Sequence, residues 1–117
     1  MRKNLTRRER LFKNSDILKM LRNAKKVEFC DIKLLYYPNY LKWNRIAVLL
    51  KKGFSSAVKR NREKRIVKEC YKSIKNYIYS GLDIILLISP VSYSYLSRFS
   101  QIVFLFRKAA LLDYENI

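Results

Sequence analysis

The sequence predicts a small α+β protein, a two-layer α/β sandwich with the element order α-β-β-α-β-α. Two apolar segments in the first half have the composition of strands, and the first of them is rich in aromatic residues. The stretch 56–80 contains no helix-breaking residue and carries apolar residues at helical spacing. Residues 82–89 are apolar at nearly every position, which is typical of an inner strand covered on both faces.

The first half supplies one helix and two strands. Residues 1–13 form a basic arm of a kind that is often mobile in the free protein. Capping side chains at 14–16 predict a first helix that ends near Asn23, with an apolar stripe expected in the core. The stripe consists of Ile17, Leu18, Met20 and Leu21. Residues 29–37 and 45–52 are predicted strands, and their short connection through Pro38 favours an antiparallel hairpin.

The second half supplies a long helix, an inner strand and a last helix. Ser55 or Ser56 can cap the long helix, and Gly81 can end it because glycine readily takes the left-handed conformation. Pro90 stops the strand at 82–89. Residues 92–94 can cap the last helix, which carries basic residues near its C-terminus. Its predicted buried face consists of Leu96, Phe99, Val103 and Phe106.

The long helix has one apolar and one cationic face. At about 100° per residue, the apolar face consists of Val67, Cys70, Ile74, Tyr77 and Ile78. The cationic face consists of Asn61, Lys64, Arg65, Lys68, Lys72 and Lys75. Most charge runs are solvated faces, but Lys59, Arg60 and Arg62 occupy the first turn, where the helix dipole disfavours cations. A bound phosphodiester polyanion would offset that cost.

The composition supports a single folded, cationic domain. The 117 residues are 50% hydrophobic, enough for one core, and 26 Lys and Arg against nine Asp and Glu leave a formal charge of +17. Such a charge directs the chain toward nucleic acid or an anionic membrane. No segment has the apolar run of a signal peptide or the roughly 20 apolar residues of a membrane span. We therefore expect a cytoplasmic protein with Cys30 and Cys70 as reduced core thiols.

The sequence argues against most classes of enzyme chemistry for the polypeptide itself. It contains no histidine, which removes Ser-His triads and imidazole acid–base catalysis. Two isolated cysteines argue against a zinc site, and two glycines preclude a glycine-rich phosphate loop. The nine acidic residues are scattered and form no recognisable two-metal site. We expect no catalytic residue and no metal or cofactor bound by the polypeptide.

One segment is closely similar to a family signature. Residues 57–69, Ala-Val-Lys-Arg-Asn-Arg-Glu-Lys-Arg-Ile-Val-Lys-Glu, resemble the RNR motif of the protein component of bacterial ribonuclease P. Other landmarks agree: the segment 10–16 before the first helix, Arg45 opening the second strand, and Lys51 and Lys52 before the motif. The resemblance spans nearly the whole chain, which we interpret as one domain, 1–117.

The resemblance implies a fold and separate roles for an RNA subunit and a protein subunit. The family fold is an α/β sandwich with a rare left-handed strand–helix–strand crossover. The family's RNA subunit uses Mg²⁺ to remove the 5′ leader of precursor tRNA, while the small protein binds that RNA and the single-stranded leader. The implied partners are the ribonuclease P catalytic RNA and precursor tRNA, with one protein per RNA and no membrane. The chain would be a subunit of a tRNA-processing endoribonuclease without being catalytic itself.

The resemblance also implies two sets of binding residues. The RNA subunit would dock on Lys52, Lys59, Arg60, Asn61, Arg62, Lys64, Arg65 and Lys68. The leader would lie in a cleft between the first helix and the sheet, with Phe12, Ile17, Leu21, Tyr36 and Arg45 as candidates. Tyr37 is a further aromatic candidate. Ile17 and Leu21 stand where relatives often have Phe, so apolar contact would replace part of the base stacking, nominally about 1–3 kcal/mol per base.

From the residues alone, two other hypotheses about the function remain open. A ribosomal or other structural RNA-binding module would have the same charge, and preferential binding of ribosomal RNA would favour it. A peripheral membrane protein could use the basic amphipathic helix, and flotation with liposomes at physiological salt would favour that hypothesis. The apolar face of the helix is, however, needed for the core.

Overall fold

A four-stranded sheet with helices on both sides organises the chain. The computed structural model describes residues 7–10 and 13–113. Its helices are α1 (Asn14–Asn23), α2 (Ala57–Ile74) and α3 (Tyr95–Lys108), with short 3₁₀ turns at Arg7–Glu9 and Lys75–Tyr77. Its strands are β1 (Lys25–Phe29), β2 (Ile32–Pro38), β3 (Arg45–Leu50) and β4 (Leu82–Ile88). The predicted α+β class is confirmed, with one strand more than the sequence indicated.

The strand order is β1-β2-β4-β3, which gives β4 an inner position. β2 runs antiparallel to β1 and to β4, whereas β3 is parallel to β4. The connection from β3 through α2 to β4 is therefore a crossover between parallel neighbours. Its left-handed sense, implied by the family resemblance, stays a prediction. Ile84, Ile85 and Leu86 are fully buried, as expected of an inner strand.

The predicted hairpin between residues 29–37 and 45–52 was wrong. The hairpin joins β1 to β2 through a tight turn at Cys30 and Asp31, where Cys30 has a positive φ of 53°. β4 pairs with both β2 and β3 and so separates the two strands that were expected to be neighbours. An apolar strand gains most from a position with a neighbour on each edge, and β4 takes that position. β1, with the sequence Lys-Lys-Val-Glu-Phe, gave no strand signal because most of its residues are charged.

Two hydrophobic clusters fill the two sides of the sheet. On one side, α2 and α3 pack against alternate strand residues, including Leu34, Val48 and Leu86. On the other side, α1 packs through Met20 against a cluster that includes Ile85. α1 has only ten residues and covers part of this side. The fold is therefore a sandwich of the sheet with α2 and α3, to which α1 adds a partial third layer.

Local capping rules account for the starts of α2 and α3 but not for the end of α2. Ser56 caps α2, and its Oγ accepts the N–H of Lys59 at 3.2 Å. Ser94 caps α3 in the same way. α2 ends at Ile74, however, well before the predicted end at Gly81. Gly81, with a φ of 88°, instead turns the chain into β4.

Several residues that were assigned to buried helix faces are exposed. These are Leu18 (56%), Leu21 (38%), Tyr77 (37%) and Leu96 (75%). In α1 the buried contact is made by Met20, with Ile17 at its edge. The expected capping side chains at 14–16 are also unused, because no side chain caps α1. α1 therefore contributes less buried apolar surface than its stripe suggested.

A buried ion pair joins α2 to α3. Glu63 and Arg98 are 1% and 0% exposed, and Arg98 Nη2 lies 3.8 Å from Glu63 Oε1. Arg98 donates hydrogen bonds to Gln101 Oε1 at 2.9 Å and to the Val91 carbonyl at 3.1 Å. Its guanidinium also lies 4.6 Å from the ring centroid of Tyr93. Burial lowers the pKa of Arg98, and the carboxylate of Glu63 opposes that shift.

The two cysteines differ in accessibility. Cys70 is buried as expected, but the prediction that Cys30 is a core thiol was wrong, because Cys30 is exposed in the β1–β2 turn. Burial raises the pKa of Cys70 to about 11, which suppresses its thiolate at neutral pH. We expect a chromogenic disulfide reagent to label one thiol rapidly and the second only after denaturation. Cys30→Ser should abolish the rapid phase, and a rapid phase that persists in this variant would contradict the burial of Cys70.

Candidate nucleic-acid interface

The cationic surface of α2 is exposed as predicted. The exposed residues are Lys52 in the preceding loop and Lys59, Arg60, Asn61, Lys64 and Arg65 in the helix. The first turn of α2 contains no acidic residue. Lys68 is partly buried, and this burial, together with the charges of Lys64, Arg10 and Lys72, lowers its pKa. Cations therefore crowd this surface, and a bound polyanion would relieve their repulsion.

Arg62 differs from its neighbours on α2. Its Nη1 donates to Glu63 Oε2 at 2.6 Å, while its side chain is 47% exposed. Because Glu63 also faces Arg98 in the core, Arg62 is the outer end of a chain of charges that runs inward from the surface. Arg62 thus has a structural contact, and its assignment to RNA docking stays a prediction.

The candidates for the leader cleft do not all lie on one side of the sheet. Ile17 is half-buried and Leu21 is partly exposed, both on α1. Tyr36 packs against the cluster of α2 and α3, so its assignment to a cleft beside α1 was wrong. Tyr37 lies on the α1 side, because successive strand residues face opposite sides of a sheet. Lys19 Nζ lies 5.8 Å from the centroid of the Tyr37 ring.

Arg45 is held at the start of β3 by carboxylates from two other elements. Its Nε and Nη2 each donate to the carboxylate of Asp83 at 2.7 Å, and its Nη1 lies 3.7 Å from Asp16 of α1. Asn39 donates to Asp83 at 2.9 Å, and the contact with Asp83 raises the pKa of Arg45. This network, which sequence reasoning missed, ties the start of α1 to the sheet. The remaining leader candidate, Phe12, lies outside the described residues.

Residues 7–10, which were assigned to a mobile arm, are attached to the edge of the sheet. Arg10 forms a parallel β-bridge with Ile46 in the edge strand β3. The carbonyl of Arg8 accepts a hydrogen bond from the indole N–H of Trp43 at 3.0 Å, and the guanidinium of Arg8 lies 4.9 Å from the Trp43 ring centroid. Glu9 forms a salt bridge of 3.3 Å with the 3₁₀ turn that follows α2. These contacts place the cations of the four residues where they extend the α2 surface around the sheet edge, and the mobility of the arm stays a prediction.

Two further features bear on the possible chemistry. Across 7–10 and 13–113, no group of three or more His, Cys, Asp and Glu side chains is placed to hold a metal ion. In the same part of the chain, no helix combines the length and the apolar character needed to cross a lipid bilayer. The expectations of no bound metal and no catalytic residue stay predictions.

The fold and its exposed basic helix define a class, that of small cationic α/β proteins with a surface suited to a polyanion. A comparison with protein families makes the assignment specific, since the family model described as ribonuclease P matches residues 5–110. The chain belongs to the ribonuclease P protein family. The resemblance seen at residues 57–69 is thereby confirmed, and the chain is a protein component of that enzyme.

Individual relatives agree with the family assignment. The ribonuclease P protein component of Thermotoga maritima is 32% identical over 87 residues, which are 74% of each chain. That of Borreliella burgdorferi is 35% identical over 77 residues, 63% of this chain and 65% of its own. A solved mutant RNase P protein of Staphylococcus aureus superposes with a TM-score of 0.83 at 21% identity, covering 90% of this chain and 91% of its own. The solved T. maritima protein gives 0.74 at 24% identity, covering 85% and 96%. At these identities, the two structures show the fold alone.

Proposed function

We propose that this chain binds the ribonuclease P catalytic RNA through α2 and the single-stranded 5′ leader of precursor tRNA on the α1 side of the sheet. In this role it assists the RNA, which uses Mg²⁺ to hydrolyse the phosphodiester bond, and the polypeptide supplies no catalytic residue. One protein binds one RNA, in the cytoplasm. The observation that carries the proposal is the exposed and crowded cationic surface of α2 in a member of this family.

Phosphate binding accounts for the unfavourable placement of cations on α2. Lys59 and Arg60 lie in the first turn, where the positive end of the helix dipole already attracts anions. An RNA phosphate at this position gains from the dipole and from both side chains, and it releases counterions. Lys64 and Lys68 continue the surface along the helix. Lys52 widens it, since Lys52 and Arg60 line one depression of about 250 Å³.

The α1 side of the sheet offers a more apolar surface, which suits an unpaired strand. Tyr37 supplies an aromatic ring and Lys19 an ammonium group close to it. Leu49 and Leu87 are half-buried and continue the apolar surface along the sheet. Stacking of a base on an aromatic ring is worth about 1–3 kcal/mol. The role expected of Tyr36 therefore falls to Tyr37 in this proposal.

Reconstitution with the catalytic transcript from the same cell tests the proposed function. We expect the chain alone to leave precursor tRNA intact, and the chain with the transcript to lower the Mg²⁺ concentration needed for cleavage. The complex should bind a precursor with its leader more tightly than the same tRNA without one. Tyr37→Ala should reduce this preference about tenfold, because one stacking contact is lost. Tyr79→Ala, at a 51% exposed tyrosine before β4, is the matched control.

Three results would contradict the proposal. Cleavage by the polypeptide alone would show that it is itself a nuclease. Equal binding with and without the leader would remove the leader contact. Preferential recovery of ribosomal RNA over the catalytic RNA would favour the structural RNA-binding module instead.

A further inference from the structure

A second cationic pocket lies at the opposite end of β3 from the start of α2. It has a volume of about 440 Å³ and lies between residues 7–10, the start of α1 and the loop before β3. Its basic lining consists of Arg7, Arg8, Arg10, Lys13 and Arg45. Trp43 and Leu41 add an apolar wall. The pocket therefore combines cations with an aromatic surface, the pair of features that single-stranded nucleic acid requires.

Contacts within the fold hold the main parts of this pocket in place. The indole N–H of Trp43 donates to the Arg8 carbonyl at 3.0 Å, and the Arg8 guanidinium lies over the ring. Arg10 is attached to the sheet by its bridge to Ile46. Arg45 is held by two hydrogen bonds of 2.7 Å to one carboxylate. The side chains of Arg8, Arg45 and Trp43 are thus positioned before any ligand binds, which lowers the cost of ordering them on binding.

Asp16 is the one acidic residue among the described residues that line the pocket, and both Asp16 and the neighbouring Asp83 pair with Arg45. Asp83 lies 2.7 Å from Arg45, and Asp16 lies 3.7 Å from the same side chain. Among residues 7–10 and 13–113, the other four cations of the pocket form no ion pair. The five cations and the two carboxylates at the pocket leave three positive charges in excess, and a bound polyanion reduces the repulsion among the cations.

The geometry points to a second RNA contact, in which this pocket binds a phosphate of single-stranded RNA and the adjacent base lies against Trp43. A free inorganic phosphate would use the cations but leave the apolar wall unused. β3 has six residues, so the pocket lies about 17–20 Å from Lys51 and Lys52 at the other end of the strand. The inference rests on the proposed function, because it adds a contact for RNA held by the same protein. It uses residues 7–10 and the loop before β3 in place of α2 and Tyr37, and it shares Arg45 with the predicted leader cleft.

Trp43 is the single tryptophan of the chain, so its fluorescence reports directly on the pocket. Titration of the full chain with a short single-stranded oligoribonucleotide should change the Trp43 emission in a saturable way. Inorganic pyrophosphate at the same concentrations should give a much weaker change. Binding of the same labelled oligoribonucleotide, followed by anisotropy, shows independently whether any RNA is bound.

Variants of the pocket separate its role from that of α2. Arg7→Gln should raise the Kd reported by Trp43 about fivefold or more, since it removes one phosphate contact and Arg7 makes no contact that holds Trp43. Arg8→Gln should raise this Kd further. Because Arg8 contacts Trp43, circular dichroism should show that the variant keeps its fold. Lys108→Gln, at the exposed end of α3, is the matched control and should change nothing.

The outcomes distinguish this inference from the proposed function. Binding by anisotropy with no change in Trp43 emission would overturn the pocket and leave the proposed function standing. An equal response to pyrophosphate and to the oligoribonucleotide would overturn the RNA-strand assignment. Loss of binding to the catalytic RNA on substitution of α2 alone, with the Trp43 response intact, would support two separate contacts.

Discussion

Replacing Arg98 by methionine is expected to lower the free energy of unfolding by about 3–5 kcal/mol, because it breaks a buried ion pair from one side. Methionine fills much of the same volume but leaves the buried carboxylate of Glu63 with Arg62 as its remaining cation among the described residues. It also removes the hydrogen bonds to Gln101 and to the Val91 carbonyl. Since small domains are stable by about 5–15 kcal/mol, the variant should be close to unfolding.

Urea denaturation followed by circular dichroism measures this loss. Arg107→Met, in the same helix but exposed, is the matched control and should change stability by less than about 0.5 kcal/mol. Combining Arg98→Met with Glu63→Leu should recover much of the stability, because apolar replacement of both members of a buried pair is often neutral. A decrease of less than about 1 kcal/mol in the free energy of unfolding for Arg98→Met would mean that this ion pair does not stabilise the packing of α2 against α3.

Helical spacing places Glu63 and Arg98 on the packed faces of their helices, although charged residues are usually expected at the surface. Glu63 precedes Val67 and Cys70 at the spacing of the packed face of α2, and it is buried with them. Arg98 precedes Ile102 in the same way on α3. A charge at a core position requires a partner, however, and the partner lies on another helix. The position of each residue was therefore predictable from local pattern, whereas their pairing depended on the tertiary fold.

The strands show the same contrast: features set by neighbouring residues were predictable, whereas the pairing of strands was not. The apolar run of β4 and the cap at Ser56 were predictable because each depends on a few neighbouring residues. The choice of strand partners depends on distant segments, and so β4 replaced the nearer β3 as the neighbour of β2. Tyr36 and Tyr37 could not be assigned to a side, because Leu34 and Leu35 are both buried and hide the alternation. The wrong cleft residue follows directly from that ambiguity.

Binding of the catalytic RNA should weaken steeply with salt, and α2 should account for much of the steepness. If the seven cations predicted to dock on the RNA each neutralise one phosphate, log K should fall with log salt at a slope of about −5 to −6. The affinity would then fall about a thousandfold between 50 and 200 mM salt. Arg60→Gln combined with Lys64→Gln should reduce the slope by about 1.4–1.8, since both side chains are exposed and adjacent on the helix surface.

The choice of variant follows from the different surroundings of the α2 cations. Arg62→Gln would weaken RNA binding and also disturb Glu63, so its effect on affinity would mix with an effect on stability. Arg60 and Lys64 form no ion pair within the described residues, so their removal tests charge alone. Arg107→Gln with Lys108→Gln removes the same two residue types from the exposed end of α3 and should leave the slope unchanged. Equal slopes for both double variants would mean that the RNA is bound by the total charge of the protein and not by the surface of α2.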